Sequence, residues 1–245
     1  MPPLETYSRD LPYSYALGVY PSIECVKRHP QSTRRLLIHS QADKSGGILE
    51  LINMCETSGI RIETADRLLR SISRKENCFA AAVFDKPNTP IDRECSHVVL
   101  VNPSDQGNLG TILRSLAAFG MYDLAIIEPA ADVYDPHVVR ASMGALFAMR
   151  ISSFDSYDMY RLACPDHARY PFMLDASTPL PEIHGKIQKP YALIFGSEGP
   201  GLPASFAGEG IPIRIPQTND VDSLNLAVSV SIAAYTFYSD AYNWG

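Results

Sequence analysis

At 245 residues the chain is long enough for one large domain or two modest ones, each with its own core. Hydrophobic residues make up 46% and charged residues 20%, which excludes a disordered chain, and no run approaches the ~18 apolar residues of a membrane span. A net charge of −6 excludes a uniformly basic nucleic-acid binder.

The charge is unevenly distributed. Residues 24–75 carry Lys27, Arg28, Arg34, Arg35, Lys44, Arg61, Arg67, Arg70, Arg74 and Lys75 against six acids, while 96–245 carry 8 Lys and Arg against 15 Asp and Glu. A basic face on the first half would suit a phosphate backbone; taken alone, such a scatter also fits a solvated, salt-bridged surface. The N-terminal leader has early prolines and acids rather than the basic-then-apolar pattern of a signal peptide, which predicts a cytoplasmic protein.

In chain order, Ser22 to His29 reads as a helix and Arg35 to His39 as a short strand. Gly47 to Thr57 is amphipathic, with Ile48, Leu51, Ile52 and Cys55 at helical spacing. Thr64 is a candidate N-cap for a helix through Leu68, Leu69 and Ile72, and Cys78 to Phe84 reads as a buried strand. Together these predict a small α/β domain over 13–85. Residues 86–95, rich in proline and charge, predict a linker to a second domain over 96–245. There, apolar strands at 97–102, 124–128, 171–175, 191–196 and 211–216 alternate with helices at Asn108 to Phe119, around Ser153 to Ala163, and from Ser223 onward. Continuous apolar strands separated by helices predict an α/β fold, a parallel sheet covered on both faces. Ligands of such sheets sit at the carboxyl ends of the strands.

Three glycine- and asparagine-rich loops fall at those ends, at 102–114, 194–202 and 215–229. Glycine takes positive φ and lets backbone approach a ligand closely, so three such loops in one region point to one composite site. In the first, Gly107 and Gly110 flank Asn108; if Asn108 opens the helix, Arg114 projects from the second turn, within reach of whatever the helix N-terminus binds. The guanidinium fork suits phosphate. In the second, four turn-forming residues surround Glu198, a hydrogen-bond acceptor for an amine or sugar hydroxyl. In the third, Ile215-Pro216 ends a strand and Ser223-Leu224-Asn225 begins a helix, with Ser223 as its natural N-cap. Each of these residues has an ordinary structural role open to it as well.

Other chemistries find little support. The six histidines form no pair or metal-ligand spacing, and the five cysteines form no CxxC, so no metal is expected and the thiols read as reduced and buried. GxSxG, GxxxxGK[ST] and GxGxxG are all absent.

Taken together, the loops resemble the SpoU/TrmH family of SPOUT-class RNA 2′-O-ribose methyltransferases. Asn108, Gly110 and Arg114 match its N-x-G-x(3)-R element, Gly196 to Leu202 its G-x-E-G-x-G-[LM] element, and Ile215-Pro216 with Ser223-Leu224-Asn225 its I-P and S-L-N elements. Arg140 to Ala145 also fits the family's R-x-S-x-G-A stretch. Gly18 and Glu24, spaced as G-x(5)-E, give 13–85 a weaker resemblance to the L30e-like RNA-binding extension.

The resemblance implies a parallel sheet with a C-terminal trefoil knot, a homodimer and an S-adenosylmethionine cofactor. That cofactor would be held through Gly196, Gly201, Ile215, Ser223, Leu224 and Asn225. Arg114 would contact the target ribose or its phosphate, Asn108 would position the hydroxyl, and Glu198, Ser223 and Asn225 would order the loops and the RNA. Arginine, with a pKa above ~12, is a poor general base, so its expected role is electrostatic, with proton transfer unassigned. The substrate would be structured RNA, ribosomal in preference to transfer RNA. A non-catalytic RNA-binding or assembly protein retaining the fold is the competing reading, disfavoured by retention of Arg114, Asn108, Glu198 and Asn225 together. Ala227 departs from the family, many of whose members carry serine there.

Overall fold

The structure, a computed structural model, describes residues 4–43, 45–73 and 78–240. Its contacts divide the chain into two compact units, one of residues up to Asn88 together with Asp132–Ala148, the other of Thr89–Ala131 with Met149 onward.

The first unit holds β1 (Tyr13–Leu17), α1 (Val19–Arg28), β2 (Thr33–Ile38), α2 (Gly46–Thr57), β3 (Arg61–Thr64), α3 (Asp66–Ser73) and β4 (Ala80–Asp85). Its sheet runs β1-β4-β2-β3, with β4 antiparallel to both neighbours and β2 parallel to β3. The run Leu36-Leu37-Ile38 shows why β2 is apolar throughout: successive side chains alternate faces. Leu36 and Ile38 join Val26, Leu51 and Cys55 from α1 and α2 on one face, while Leu37 joins Leu69 and Ile72 from α3 on the other. Thr64 ends β3 instead of capping α3, whose Asp66 carboxylate accepts from the Ser40 amide at 2.7 Å. Arg28, Arg34, Arg35 and Arg61 are ion-paired with Glu24, Asp85 and Glu63, so these four belong to a salt-bridged surface. Lys44, Arg74 and Lys75 lie outside the described residues.

The second unit holds β5 (His97–Val101), α4 (Gln106–Ala118), β6 (Asp123–Ile127), β7 (Arg150–Phe154), α6 (Tyr157–Ala163), β8 (Ala168–Pro171), β9 (Thr178–Pro179), β10 (Tyr191–Phe195), β11 (Ile213–Arg214) and α7 (Leu226–Asp240). The intervening α5 (Pro136–Ala141) belongs to the first unit. Five strands form an all-parallel sheet in the order β7-β6-β5-β10-β8, as the apolar runs predict. Val99, Val101, Ala125, Ile127, Ala192 and Ile194 cover one face with Tyr160 of α6. Beyond the sheet α4 and α7 pack together, and the Ser231 hydroxyl donates to Ser115 Oγ at 2.7 Å where they meet.

Several boundaries differ from the sequence reading. The polar helix expected around Ser153 to Ala163 splits into edge strand β7 and α6, because Ser156 accepts the Met159 amide at 3.3 Å and starts the helix there. The strand expected at 171–175 runs instead over Ala168–Pro171; Phe172 is apolar because its ring stacks on Phe195, centroids 4.4 Å apart. Asp132–Ala148, read with the second domain, makes its contacts in the first unit: a side chain on Gly144 (φ +82°) would come within 2.6 Å of Glu24 Cβ. In the expected linker, Ile91 is buried in the second unit's core, and its amide donates to Ser152 Oγ at 3.1 Å.

Candidate active site

The sheet order creates the site. β5 and β10 are central neighbours, and the order in which strands are added reverses between them, with β6 and β7 to one side and β8 to the other. Loops leaving the carboxyl ends of such a pair diverge around a crevice. The loop after β5 leads into α4, and the loop after β10 is the glycine-rich Gly196–Leu202 segment.

Gly196 is indispensable to that segment. A Cβ there would lie 2.0 Å from the Gly201 carbonyl carbon and 2.3 Å from the Leu202 nitrogen, because the loop folds back on itself. The Gly201 amide donates to the Ser197 carbonyl at 3.2 Å, and Gly199 and Gly201 take φ of +97° and +67°, values that suit glycine. The fold-back thrusts Glu198 toward the start of α4. Its carboxylate accepts the Ser104 amide (3.0 Å), the Ser104 hydroxyl (2.9 Å), the Asp105 amide (3.3 Å) and the Asn108 side-chain amide (3.0 Å).

This arrangement corrects two expectations. Asn108 does not open α4; Asp105 is the N-cap, its carboxylate accepting the Asn108 amide at 2.7 Å. The anion-favouring helix N-terminus is occupied by the chain's own Glu198, leaving that carboxylate committed to internal donors. Burial acts to raise the Glu198 pKa, but the hydrogen bonds from Asn108 and Ser104 outweigh it and hold the group down from 4.5 to about 2.

The third loop joins the same network. Asn225 Nδ2 donates to Asn108 Oδ1 at 2.9 Å, while Asn225 Oδ1 accepts the amides of Ala227 (2.8 Å) and Val228 (3.3 Å). Asn225, and not Ser223, therefore caps α7, which begins at Leu226. Ala227 is buried in the first turn of that helix. One continuous path, Glu198–Asn108–Asn225–α7, binds all three loops.

Around it lies a cavity of about 570 Å³. Gly196, Glu198, Gly201, Ile215, Ser223, Leu224 and Asn225 all line it, together with the stacked Phe172 and Phe195. That volume falls in the range for small-molecule sites, and the lining is apolar rings and backbone with few charges. Two of the sequence-derived residues do not line it. Asn108 is connected through its hydrogen bonds, whereas Arg114 stands exposed on α4 with no hydrogen bond or ion pair among the described residues.

Sequence reasoning missed Ser104 and Asp105, though an aspartate before Gln106-Gly107-Asn108 was a readable N-cap signal. Asn102 was also missed: it holds φ of 52° at the end of β5 and donates to the carbonyl of Pro129 at 3.3 Å, aiming the chain toward Ser104. Asparagine is among the residues that tolerate this region.

The chain is similar in sequence and fold to known proteins. Over 237 residues the chain is 29% identical to the 23S rRNA (uridine(2479)-2′-O)-methyltransferase of Streptomyces viridochromogenes, spanning 89% of this chain and 80% of that protein. It is 27% identical over 158 residues to the 23S rRNA (guanosine(2553)-2′-O)-methyltransferase of Bacillus subtilis, spanning 63% of this chain and 62%, less than two thirds, of that one. The AdoMet-bound rRNA methyltransferase from Sinorhizobium meliloti superimposes with a TM-score of 0.77 at 25% identity, covering 92% of this chain and 86% of the other. Residues 96–235 match the SpoU rRNA Methylase family across the loops that build the cavity, and the chain belongs to that family.

Proposed function

We propose that this chain transfers a methyl group from S-adenosylmethionine to a ribose 2′-hydroxyl of structured RNA, ribosomal RNA in preference to transfer RNA. The observation that carries the proposal is the Glu198–Asn108–Asn225 network, which fastens three family-signature loops around one small-molecule cavity. The residues present fit the cofactor: the volume is appropriate, the Phe172 and Phe195 rings offer an apolar wall, and the Gly196–Gly201 and Ile215–Asn225 loops offer backbone groups. Bound there, S-adenosylmethionine supplies an electrophilic methyl on a sulfonium centre.

The chain's own residues then divide the work. Gly196, Gly201, Ile215, Ser223 and Leu224 hold the cofactor, largely through backbone. Glu198 fixes the loop to α4, and Asn225 and Asn108 set the relative position of the third and first loops. Arg114 stabilises negative charge developing on the ribose 2′-oxygen.

The protein works as a homodimer in this reading. Val228, Ile232 and Tyr235 on α7 recur at helical spacing and are exposed, a face fit for a second copy of the chain. Arg114, outside its own cavity, then serves the partner's cofactor. Ile232→Asp is expected to yield a monomer by light scattering and to lose methyl transfer, since a carboxylate cannot be buried unpaired; an active monomer would contradict the dimeric site.

The first unit, read as an L30e-like RNA-binding domain over 13–85, presents exposed Lys27 and Arg67 to the RNA. A trefoil knot in the methyltransferase unit and a cytoplasmic location belong to the same reading. The thiols of Cys25, Cys55, Cys78, Cys95 and Cys164 are unpaired, in keeping with a reducing compartment. No helix among the described residues is long and apolar enough to cross a membrane.

Glu198→Gln separates anchoring from chemistry. The amide turns a donor toward the Ser104 and Asp105 donors, and charge-assisted hydrogen bonds contribute roughly 1.5–3 kcal/mol, less for a group partly open to solvent. Calorimetry is expected to show cofactor affinity falling about tenfold. Because the folded pKa of Glu198 is depressed, its tie is fully formed above pH 4.5 and weakens as pH falls toward about 2. Affinity in the parent protein is thus expected to be flat through the neutral range as far as this group is concerned.

The proposal is tested by incubating the purified protein with methyl-labelled S-adenosylmethionine and separate ribosomal and transfer RNA. Label in 2′-O-methylnucleosides of ribosomal RNA is expected; label in a base, or none with either RNA, would overturn it.

A further inference from the structure

At the amino ends of the parallel strands, opposite the carboxyl-end loops of the cavity, three side chains converge that are distant in the sequence. His97 opens β5, Cys164 follows α6, and His167 precedes β8. Strands β5 and β8 both flank β10, which brings the imidazoles of His97 and His167 into a stack with centroids 4.2 Å apart. Cys164 joins them, and the donor atoms of the three lie within 4.8 Å of one another. All three residues are buried, His97 and Cys164 at 1% exposure and His167 at 4%.

Hydrogen bonds set the tautomers. His97 Nε2 lies 2.8 Å from the Asp92 carbonyl, and His167 Nε2 lies 2.8 Å from the Cys95 carbonyl. A carbonyl only accepts, so both Nε2 atoms carry hydrogen and, in neutral rings, both Nδ1 atoms present lone pairs. His97 Nδ1 accepts from the Tyr160 hydroxyl at 3.0 Å, but His167 Nδ1 is buried with no hydrogen-bond partner. An orphaned buried acceptor is costly. An imidazole held by Nε2–H to a carbonyl, with Nδ1 unpartnered beside a thiol as in His167, is in the state required of a metal ligand, and His97 reaches it once Tyr160 turns away.

We propose that His97 Nδ1, His167 Nδ1 and Cys164 Sγ bind one zinc ion, at a site remote from the methyl-transfer cavity. Zinc–nitrogen bonds of about 2.0–2.1 Å and a zinc–sulfur bond of about 2.3 Å place tetrahedral ligand atoms roughly 3.3–3.6 Å apart, so on binding the cluster contracts by about 1 Å and the two rings, 28° from parallel in the stack, tilt further so that their in-plane lone pairs converge on the ion. Cys164 loses its thiol proton to solvent as the sulfur–metal bond forms, the Tyr160 hydroxyl gives up its contact with His97, and water takes the fourth position. The ion satisfies His167 Nδ1 and ties β5 to the α6–β8 connection. The site takes no part in methyl transfer.

Cobalt(II) titrated anaerobically into the metal-stripped 245-residue chain tests this. One equivalent per chain with a thiolate-to-cobalt charge-transfer band is expected. Cys164→Ser abolishes the band, His167→Gln weakens binding by about tenfold or more, and the exposed His184→Gln leaves both unchanged. Independently of any variant, zinc is expected to slow iodoacetamide alkylation of Cys164 in the parent protein about tenfold, read by peptide mass spectrometry, while Cys95 keeps its rate. Absence of the thiolate band, its persistence in Cys164→Ser, or alkylation of Cys164 at the same rate with and without zinc would overturn the site.

Discussion

An Arg114→Ala chain is expected to bind S-adenosylmethionine as the parent does, within about twofold, and to lose about 10²–10³ in kcat. The reasoning is geometric. Arg114 does not line its own chain's cavity, is exposed on α4 and has no hydrogen bond or ion pair among the described residues. Removing it therefore leaves cofactor contacts and fold intact, while withdrawing the cation assigned to the developing 2′-oxyanion. Arg114→Lys keeps the charge but loses the planar fork, and an intermediate rate is expected. Calorimetry for the cofactor and single-turnover methyl transfer separate the two quantities. A variant that loses cofactor binding in proportion to rate would move Arg114 out of the chemistry and into the binding site.

The second large effect is expected at Gly196. No side chain fits where a Cβ would stand 2.0 Å from one backbone atom and 2.3 Å from the next residue's nitrogen, so in Gly196→Ala the fold-back must open. Opening it pulls Glu198 from the Ser104 and Asp105 amides and disturbs Leu202, which is buried in the core with Phe206. Overpacking costs about 1–3 kcal/mol or more, a fall in Tm of several degrees for a chain of this size. Cofactor binding is expected to disappear altogether. Gly199→Ala is the comparison: it meets nothing within 4 Å and carries only the strain of its φ of +97°, so its cost is expected near 1 kcal/mol. If Gly196→Ala bound the cofactor as tightly as Gly199→Ala, the fold-back would not be what shapes the cavity.

What the sequence makes legible follows from how the information is stored. The parallel sheet could be read because β5, β6 and β10 are buried on both faces, which writes them as unbroken apolar runs. Edge strand β7 could not, because RISSF is only partly buried and its serines read as helix surface. The cavity loops were legible because glycine is required where backbone meets backbone, and Gly196, Gly199 and Gly201 are each needed for a stated steric or φ reason. The roles within the loops were less so. Glu198 reads as a free acceptor until the adjacency of β5 and β10 brings it to the start of α4, and Ser223 reads as a cap until Asn225 is seen doing that work. The stacking of His97 on His167 has no local signature at all, since it depends on both flanking β10 across a separation of 70 residues. Likewise, no local pattern tells that Asp132–Ala148 leaves the second unit to pack with the first.

Mapping of 2′-O-methylation across total RNA, from cells carrying the intact chain and from cells carrying Arg114→Ala, tests the central claim most directly. One ribose methyl mark in ribosomal RNA is expected with the intact chain and is expected to vanish with the variant, while both purified proteins bind S-adenosylmethionine. An unchanged methylation map, together with failure of the intact protein to bind S-adenosylmethionine, would contradict it.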